Sequence, residues 1–440
     1  MGKYFGTDGI RGKANLELTA ETAFLIGRAL GHLYPSQKIV VGMDTRLSSS
    51  MLKHALMAGV CASGAHVYDT DVVPTPAIAY LTTHEDFACG VMISASHNPY
   101  YDNGIKIFNT HGVKIDDVLE AKIEAVIDGE KLPYAMSEHI GIVHDFRSGL
   151  NHYKQWLSKL FDINLSGIKI AIDASNGSAS VTALEVLEAL GAECTIMHNE
   201  PNGVNINDHC GSTHPETLQA FVKAHGFDLG LAFDGDADRL IAVDHEGELV
   251  DGDKTIYICG TYLNEKGLLN AKSVVTTVMA NLGLYKALKD VGITSEQTQV
   301  GDKYVYERML QKDLVLGGEQ SGHIIFKQHA TTGDGLLTAL KLLEVMHAKK
   351  DSLRHLGEPV VIFPQVLKNV KVNDKKAALS NPVLKARIDE MELDLHGEGR
   401  ILVRPSGTEP LVRVMVEAAS IDKCHACCDE LVEMIHTLKL

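Results

Sequence analysis

Asp234, Asp236 and Asp238 alternate with glycine and alanine in the run DGDADR, directly after the apolar stretch LGLAF. Small spacers in a loop let alternating carboxylates converge on one point. Three anionic oxygens held that close repel one another unless a divalent cation offsets their charge. An EF-hand loop also opens D-x-D-x-D, but it needs glycine at its sixth position and an acid at its twelfth. Those positions here are Arg239 and His245, so the EF-hand reading fails. An acidic turn that only caps its own backbone is the plainer competitor.

Five further segments carry polar groups that could bind or transfer an anionic group. SASHNP puts Ser96 and His97 in a loop before Pro99, where the serine is either a nucleophile or filler. VRPSGTEPLVR offers Arg404 as a bidentate phosphate binder, hydroxyls on Ser406 and Thr408, and Gly407 to free backbone amides for an anion. A strand–turn–strand with a solvated arginine explains the same run without a ligand. LGGEQSGHIIF carries Glu319, Ser321 and His323, which could hydrogen-bond sugar hydroxyls or an amine. Thr7 and Arg11 in FGTDGIRG, and Lys303 in GDKYV, read equally well as turn residues and exposed cations. The chain has no G-x-x-x-x-G-K-[ST] and no G-x-S-x-G. Acidic triad, arginine loop and candidate serine together point to phosphoryl transfer without a nucleotide.

The elements around these loops repeat one pattern, a short β-branched run, a glycine- or aspartate-bearing loop, then a helical stretch. KIVVGMDTR (38–46), IKIAIDASNGSAS (168–180), FDLGLAFDGDADR (227–239) and DLVLGGEQSGH (313–323) all fit it, and LIAVDHEGELV predicts a strand pair turned at HEGE. Such units predict α/β domains whose functional loops follow strand carboxyl ends. GVMISA predicts the strand before Ser96, and Asp102-Asn103-Gly104 predicts a tight turn that swings Lys106 back toward the serine loop. The last 75 or so residues read as a smaller α+β unit.

Composition is that of an ordinary globular protein of about three domains' length, 440 residues with 45% apolar and 22% charged. A net charge of −16 argues against nucleic acid as a partner. No apolar run is long enough for a membrane span, and the opening MGKYFGTDGIRG lacks a secretory core, so a cytoplasmic location is expected. Eight scattered cysteines fit reduced usage, and Cys424, Cys427 and Cys428 in CHACC read as packing residues on a helix rather than a zinc site.

SASHNP (94–99), DGDADR (234–239), GGEQSGH (317–323) and RPSGTEP (404–410) resemble, in type and order, the site loops of the α-D-phosphohexomutase superfamily. YFGTDGIRG (4–12), GVNINDHCGSTHPE (203–216), VDGDK (250–254) and TTGDG (331–335) resemble its bacterial amino-sugar branch. The resemblance spans the whole chain. It implies three related α/β domains with mixed sheets plus a smaller C-terminal α+β domain around a central active-site cleft. The expected divisions are 1–150 with the phosphoserine, 151–250 with the metal, 251–365 for sugar recognition and 366–440 for phosphate binding.

Carried over position by position, Ser96 resembles the phosphorylated serine, with His97, Lys106, Arg11 and Arg239 beside it. Asp234, Asp236 and Asp238 resemble the ligands of one Mg²⁺ per site, which a phosphoserine oxygen completes. Glu319, Ser321 and His323 resemble the sugar-recognition loop. Arg404, Ser406, Gly407 and Thr408, helped by Arg413, resemble the binder of the non-reacting phosphate. Thr7 would lie near the phosphoserine, and Lys303 stands where the branch often has arginine, trading a bidentate fork for a point charge. Proton transfer could fall to Lys106, His323, Lys303 or Arg11. The implied reaction interconverts glucosamine 6-phosphate and glucosamine 1-phosphate through a bisphosphorylated sugar that also serves as primer, in a chain expected as a homodimer. Phosphomannomutase or phosphoglucomutase activity on the same fold, a metal-dependent sugar phosphatase, and a non-catalytic sensor are the alternatives.

Overall fold

A computed structural model describes residues 2–405 and 411–438. The chain forms two compact units, one of residues 1–279 with 292–358 and one of residues 280–291 with 359–440. The larger unit holds three sheets. The first has seven strands in the order Phe5–Gly6, Gly9–Lys13, Asp102–Asn109, Cys89–Ile93, Lys38–Met43, His66–Val72, Val143–Asp145. Its last four strands run parallel, and Asp102–Asn109 pairs antiparallel to both its neighbours.

The second sheet has five strands, with Leu229–Phe233 at its centre, parallel to Lys169–Asp173 and antiparallel to Leu240–Asp244. The third has four, and Leu316–Gly318 turns back antiparallel into Ile324–Phe326. All three sheets are therefore mixed. Strands Cys89–Ile93 and Leu229–Phe233 are buried at every residue, which is why they read as unbroken apolar runs rather than alternating ones. Each fully buried Ile, Leu or Phe contributes roughly 1.5–3 kcal/mol, so these strands are firm platforms for the loops at their ends.

Helix starts follow side-chain caps. Thr19, Asp116, Asp251 and Asp334 each accept a backbone N–H at the head of the helix that follows. The smaller unit is an antiparallel sheet in the order Gln365–Lys371, Leu411–Ala418, Gly399–Pro405, backed by helix Ile421–Thr437. That helix buries Cys424, Cys427 and Cys428 in the unit's apolar core, as packing residues. Within this unit Glu417, fully buried, accepts from the Leu282 N–H and pairs with Arg400.

One local expectation differs. Asp102-Asn103-Gly104 is not a turn but the start of strand Asp102–Asn109. Its ladder pairing with Gly9–Lys13 outweighs the local turn preference, and Lys106 reaches the site from the strand face instead. Among the described residues no helix is long and apolar enough to cross a membrane.

Candidate active site

Ser96 comes three residues after the buried strand Cys89–Ile93 and is itself buried. Its φ of +52° lies in the left-handed region, which costs a non-glycine residue about 1–3 kcal/mol unless its surroundings enforce it. The enforcement is visible. Ser96 N–H donates to Ser94 Oγ at 2.9 Å, and the Ser96 carbonyl accepts from Arg46 Nη2 and Asn207 Nδ2, each at 2.9 Å. Arg46 also donates to the Asn98 carbonyl at 2.6 Å and is paired with Asp44 in full burial. Ser96 Oγ donates to Asp234 Oδ2 at 2.6 Å, and His97 Nδ1 stands 3.3 Å from Ser96 Oγ.

The three aspartates follow strand Leu229–Phe233 and are all buried. Carboxylate oxygens from all three lie within 4.8 Å of one another. Ala237 at φ +55° bends the loop so that alternate side chains converge. A β-carbon on Gly235 would meet the Ser96 carbonyl at 2.7 Å and Asn207 Nδ2 at 2.9 Å, so the close approach of the two loops requires glycine there. Thr75 donates to Asp236, and the Arg239 N–H donates to Asp234 Oδ1 at 3.1 Å. The Arg239 side chain lies 3.8 Å from Asp238 Oδ1. Burial, then the charges of Asp238 and Asp236, push the Asp234 carboxyl well above its ordinary range.

Positive charge is packed against this acid cluster. Lys106 Nζ, buried, contacts Asp236 Oδ2 at 2.7 Å, Asp238 Oδ2 at 3.1 Å and Asp8 Oδ2 at 3.2 Å. Burial works against its charge, but Asp236, Asp238 and Asp8 together hold its pKa well above the ordinary lysine value. Asp8 in turn pairs with Arg11 and Lys114, and Lys114 Nζ lies 2.5 Å from Asp302. Burial would raise the Asp8 carboxyl, and Lys106, Lys114 and Arg11 outweigh it and keep it well below. Burial, with Arg239 and Arg11 nearby, drives the His97 imidazole down to about 3, so it is neutral at pH 7.

The sugar-loop residues are placed unequally. Glu319 Oε1 accepts the Gly301 N–H at 3.0 Å, His323 is buried with Nε2 accepting the Gly333 N–H at 3.1 Å, and Ser321 is exposed. Lys303 pairs with Asp117 at 2.9 Å rather than with the triad. Lys303 and Thr7 line one cavity of about 650 Å³, together with Lys114 and Asp302. That volume lies in the range of small-molecule sites. In the smaller unit Arg404 and Arg413 face each other on paired strands, and the Nε of each is buried without a partner. Like charges directly opposite are destabilising, an arrangement that a bound anion would relieve. Ser406, Gly407 and Thr408 lie outside the described residues.

Models of the phosphoglucomutase/phosphomannomutase alpha/beta/alpha domains I, II and III and C-terminal domain match residues 2–133, 150–247, 251–360 and 367–434. The chain belongs to the phosphoglucomutase/phosphomannomutase family. The phosphoglucosamine mutase of Lachnospira eligens is 51% identical over 443 residues, spanning 99% of this chain and 98% of that protein. That of Anoxybacillus flavithermus is 52% identical over 441 residues, with the same coverage. Among solved structures, a phosphoglucomutase/phosphomannomutase family protein from Burkholderia thailandensis gives a TM-score of 0.79 at 25% identity, covering 98% of this chain and 97% of that one. The N-acetylphosphoglucosamine mutase of Aspergillus fumigatus, solved with GlcNAc-6P and magnesium, gives 0.66 at 18% identity over 99% and 96%. At that identity the likeness speaks for the fold alone.

This member of the phosphoglucomutase/phosphomannomutase family has a donor set that suits Mg²⁺. Asp236 Oδ1 and Asp238 Oδ1 are buried without hydrogen-bond partners, and all the converging atoms are hard oxygens. Several residues at the site had no distinguishing mark in the sequence. Asp8 lies inside FGTDGIRG, where an aspartate reads as a turn former, and Asn207 lies inside the amino-sugar-branch run. Asp302 lies inside GDKYV, singled out only for Lys303, while Arg46, Thr75 and Lys114 carry no local motif, because their partners are remote in sequence.

Proposed function

We infer that this chain interconverts glucosamine 6-phosphate and glucosamine 1-phosphate by way of a phosphorylated Ser96. The observation that carries the reading is a buried serine hydroxyl 2.6 Å from a three-aspartate cluster that retains unpartnered carboxylate oxygens. The choice of amino sugar is supported by relatives named phosphoglucosamine mutase at about half identity over nearly the full length.

In the first step the bond from phosphorus to Ser96 Oγ breaks as a new bond forms to the free sugar hydroxyl, whose proton leaves to a nearby base. The sugar then carries two phosphates, turns end for end, and returns its other phosphate to Oγ. Dividing one long transfer into two short ones is the gain of covalent catalysis. When bound, Mg²⁺ on Asp234, Asp236 and Asp238 offsets charge on the transferred group. Arg46 and Asn207 hold the Ser96 backbone, so its oxygen does not wander between the two transfers. Lys106 and Arg11 supply fixed positive charge beside the acid cluster. The Arg404–Arg413 pair takes the non-reacting phosphate, and contacts to phosphate rather than sugar suit a substrate that binds in two orientations. Glu319, Ser321 and His323 read the hydroxyls and the amine.

The test is a coupled assay with Mg²⁺ and a trace of bisphosphate primer over glucosamine, mannose and glucose phosphates, with free phosphate measured in parallel. The expected result is isomerised glucosamine phosphate at least about tenfold ahead of the other sugars in kcat/KM, with little phosphate released. Faster isomerisation of mannose or glucose phosphate would move the assignment within the family. Phosphate release matching substrate loss would replace it with a phosphatase.

A further inference from the structure

Behind the aspartate loop, a second group of ligand-type side chains meets in the same unit. Asp173 ends strand Lys169–Asp173, His198 follows strand Glu193–Met197, and Cys210 lies in the loop that precedes Leu229–Phe233 by one helix. One ligand atom from each falls within 4.8 Å of the other two. Among the described residues this and the aspartate triad are the two such groups. We propose that Asp173, His198 and Cys210 form a second cation site, selective for a borderline divalent transition ion such as Zn²⁺ rather than for Mg²⁺.

The donor chemistry differs from that of the triad. One carboxylate oxygen, one imidazole nitrogen and one sulfur make a set that hard Mg²⁺ disfavours and Zn²⁺ or Co²⁺ prefers. A carboxylate and a thiolate balance a divalent charge, and neutral imidazole completes three protein ligands. The carboxylate is already oriented, since Asp173 Oδ1 accepts the Ser175 N–H and Oδ2 accepts the Gly211 N–H, both at 2.9 Å. His198 Nδ1 sits 3.0 Å from Asp173 Oδ2, an imidazole–carboxylate contact that an ion bound by both side chains would replace. Among the described residues, Asn176 Nδ2 contacts the Cys210 sulfur at 4.0 Å. Asp173 and Cys210 are fully buried, whereas the His198 side chain is 29% exposed. The imidazole side therefore gives an ion an entry path and leaves a fourth position open to water.

Occupancy would bear on the phosphoryl site through two residues, Gly211 and Asn207. Gly211 follows Cys210 and packs against the carbonyl of Phe233, the residue before Asp234. Asn207, three positions before Cys210, donates its N–H to the Ser175 carbonyl at 2.9 Å and its Nδ2 to the Ser96 carbonyl. An ion clasping Cys210 to the two strand ends would brace the loop that grips the nucleophile's backbone.

The experiment uses the full-length chain, stripped by chelator and then saturated with Mg²⁺, and titrates Co²⁺ as the probe. The expected result is a thiolate-to-cobalt charge-transfer band in the near ultraviolet, lost in Cys210→Ser and retained in Asp236→Asn. His198→Asn, a half-exposed position that folding should tolerate, is expected to weaken Zn²⁺ binding at least about tenfold and to abolish the Zn²⁺-induced rise in Tm. It carries the test if Cys210→Ser does not fold. Absence of the band in the parent chain, its persistence in Cys210→Ser, its loss in Asp236→Asn, or an unchanged Zn²⁺ response in His198→Asn would each overturn the site.

Discussion

Ser96 Oγ donates a 2.6 Å hydrogen bond to Asp234 Oδ2, although 138 positions separate the two residues. One follows a strand of the seven-stranded sheet and the other follows a strand of the five-stranded sheet. The contact places a hydroxyl, held in a left-handed backbone conformation, against an acid cluster. Replacing Ser96 with alanine removes one hydrogen bond and leaves the backbone strain unchanged, so stability should shift by only about 1 kcal/mol. Mutase turnover should fall to background, and intact mass should lose the species carrying one phosphate. Near-normal turnover would remove Ser96 from the mechanism.

Lys106 is the counter-charge of a buried acid cluster. Lys106→Met should cost about 3–5 kcal/mol without Mg²⁺, because it leaves Asp236, Asp238 and Asp8 under-compensated in a buried site. Saturating Mg²⁺ should recover part of that loss. Denaturant unfolding with and without the ion measures both values. Equal losses in the two conditions would show that Lys106 and the ion do not share the aspartates.

Asp334 gives a pH signature at a helix cap packed beside the triad loop. Burial raises its carboxyl from an ordinary 3.8 to about 6, while it caps helix Gly335–Lys349 and accepts from the Tyr153 hydroxyl at 2.9 Å. A carboxyl raised in the folded state binds its proton more tightly there than in the unfolded chain. Its contribution to stability is full below the unfolded value near 3.8 and is lost as pH climbs through about 6. The fall amounts to roughly 3 kcal/mol over that window. Asp334→Asn keeps a capping oxygen and should flatten this part of the stability profile. An unchanged slope would assign the pH dependence to other groups.

Arg404 and Arg413 are cross-strand neighbours of like charge. Arg404→Ala should raise the apparent KM for the sugar phosphate by at least about tenfold, with a smaller change in kcat. Inorganic phosphate should raise the Tm of the parent chain more than that of the variant. An unchanged KM together with equal thermal shifts would place the phosphate elsewhere.

The family and the aspartate cluster were legible because they rest on local runs. DGDADR needs only a strand end and small spacers to bring its carboxylates together, and the buried strands show as unbroken apolar stretches. The turn expected at Asp102-Asn103-Gly104 is a strand instead, because antiparallel pairing with Gly9–Lys13 holds those residues extended. Asp8, Arg46, Thr75 and Lys114 were not singled out, since a lone charged or hydroxyl residue carries no sign of which remote partner it will meet. By itself the sequence determined which side chains are available for chemistry: a serine, three carboxylates and several arginines. Only the tertiary structure decided which oxygen of Asp234 faces Ser96, which cations balance the buried acids, and that Asp173, His198 and Cys210 converge. Side-chain contacts between distant segments depend on sheet register and packing, and no local pattern encodes those.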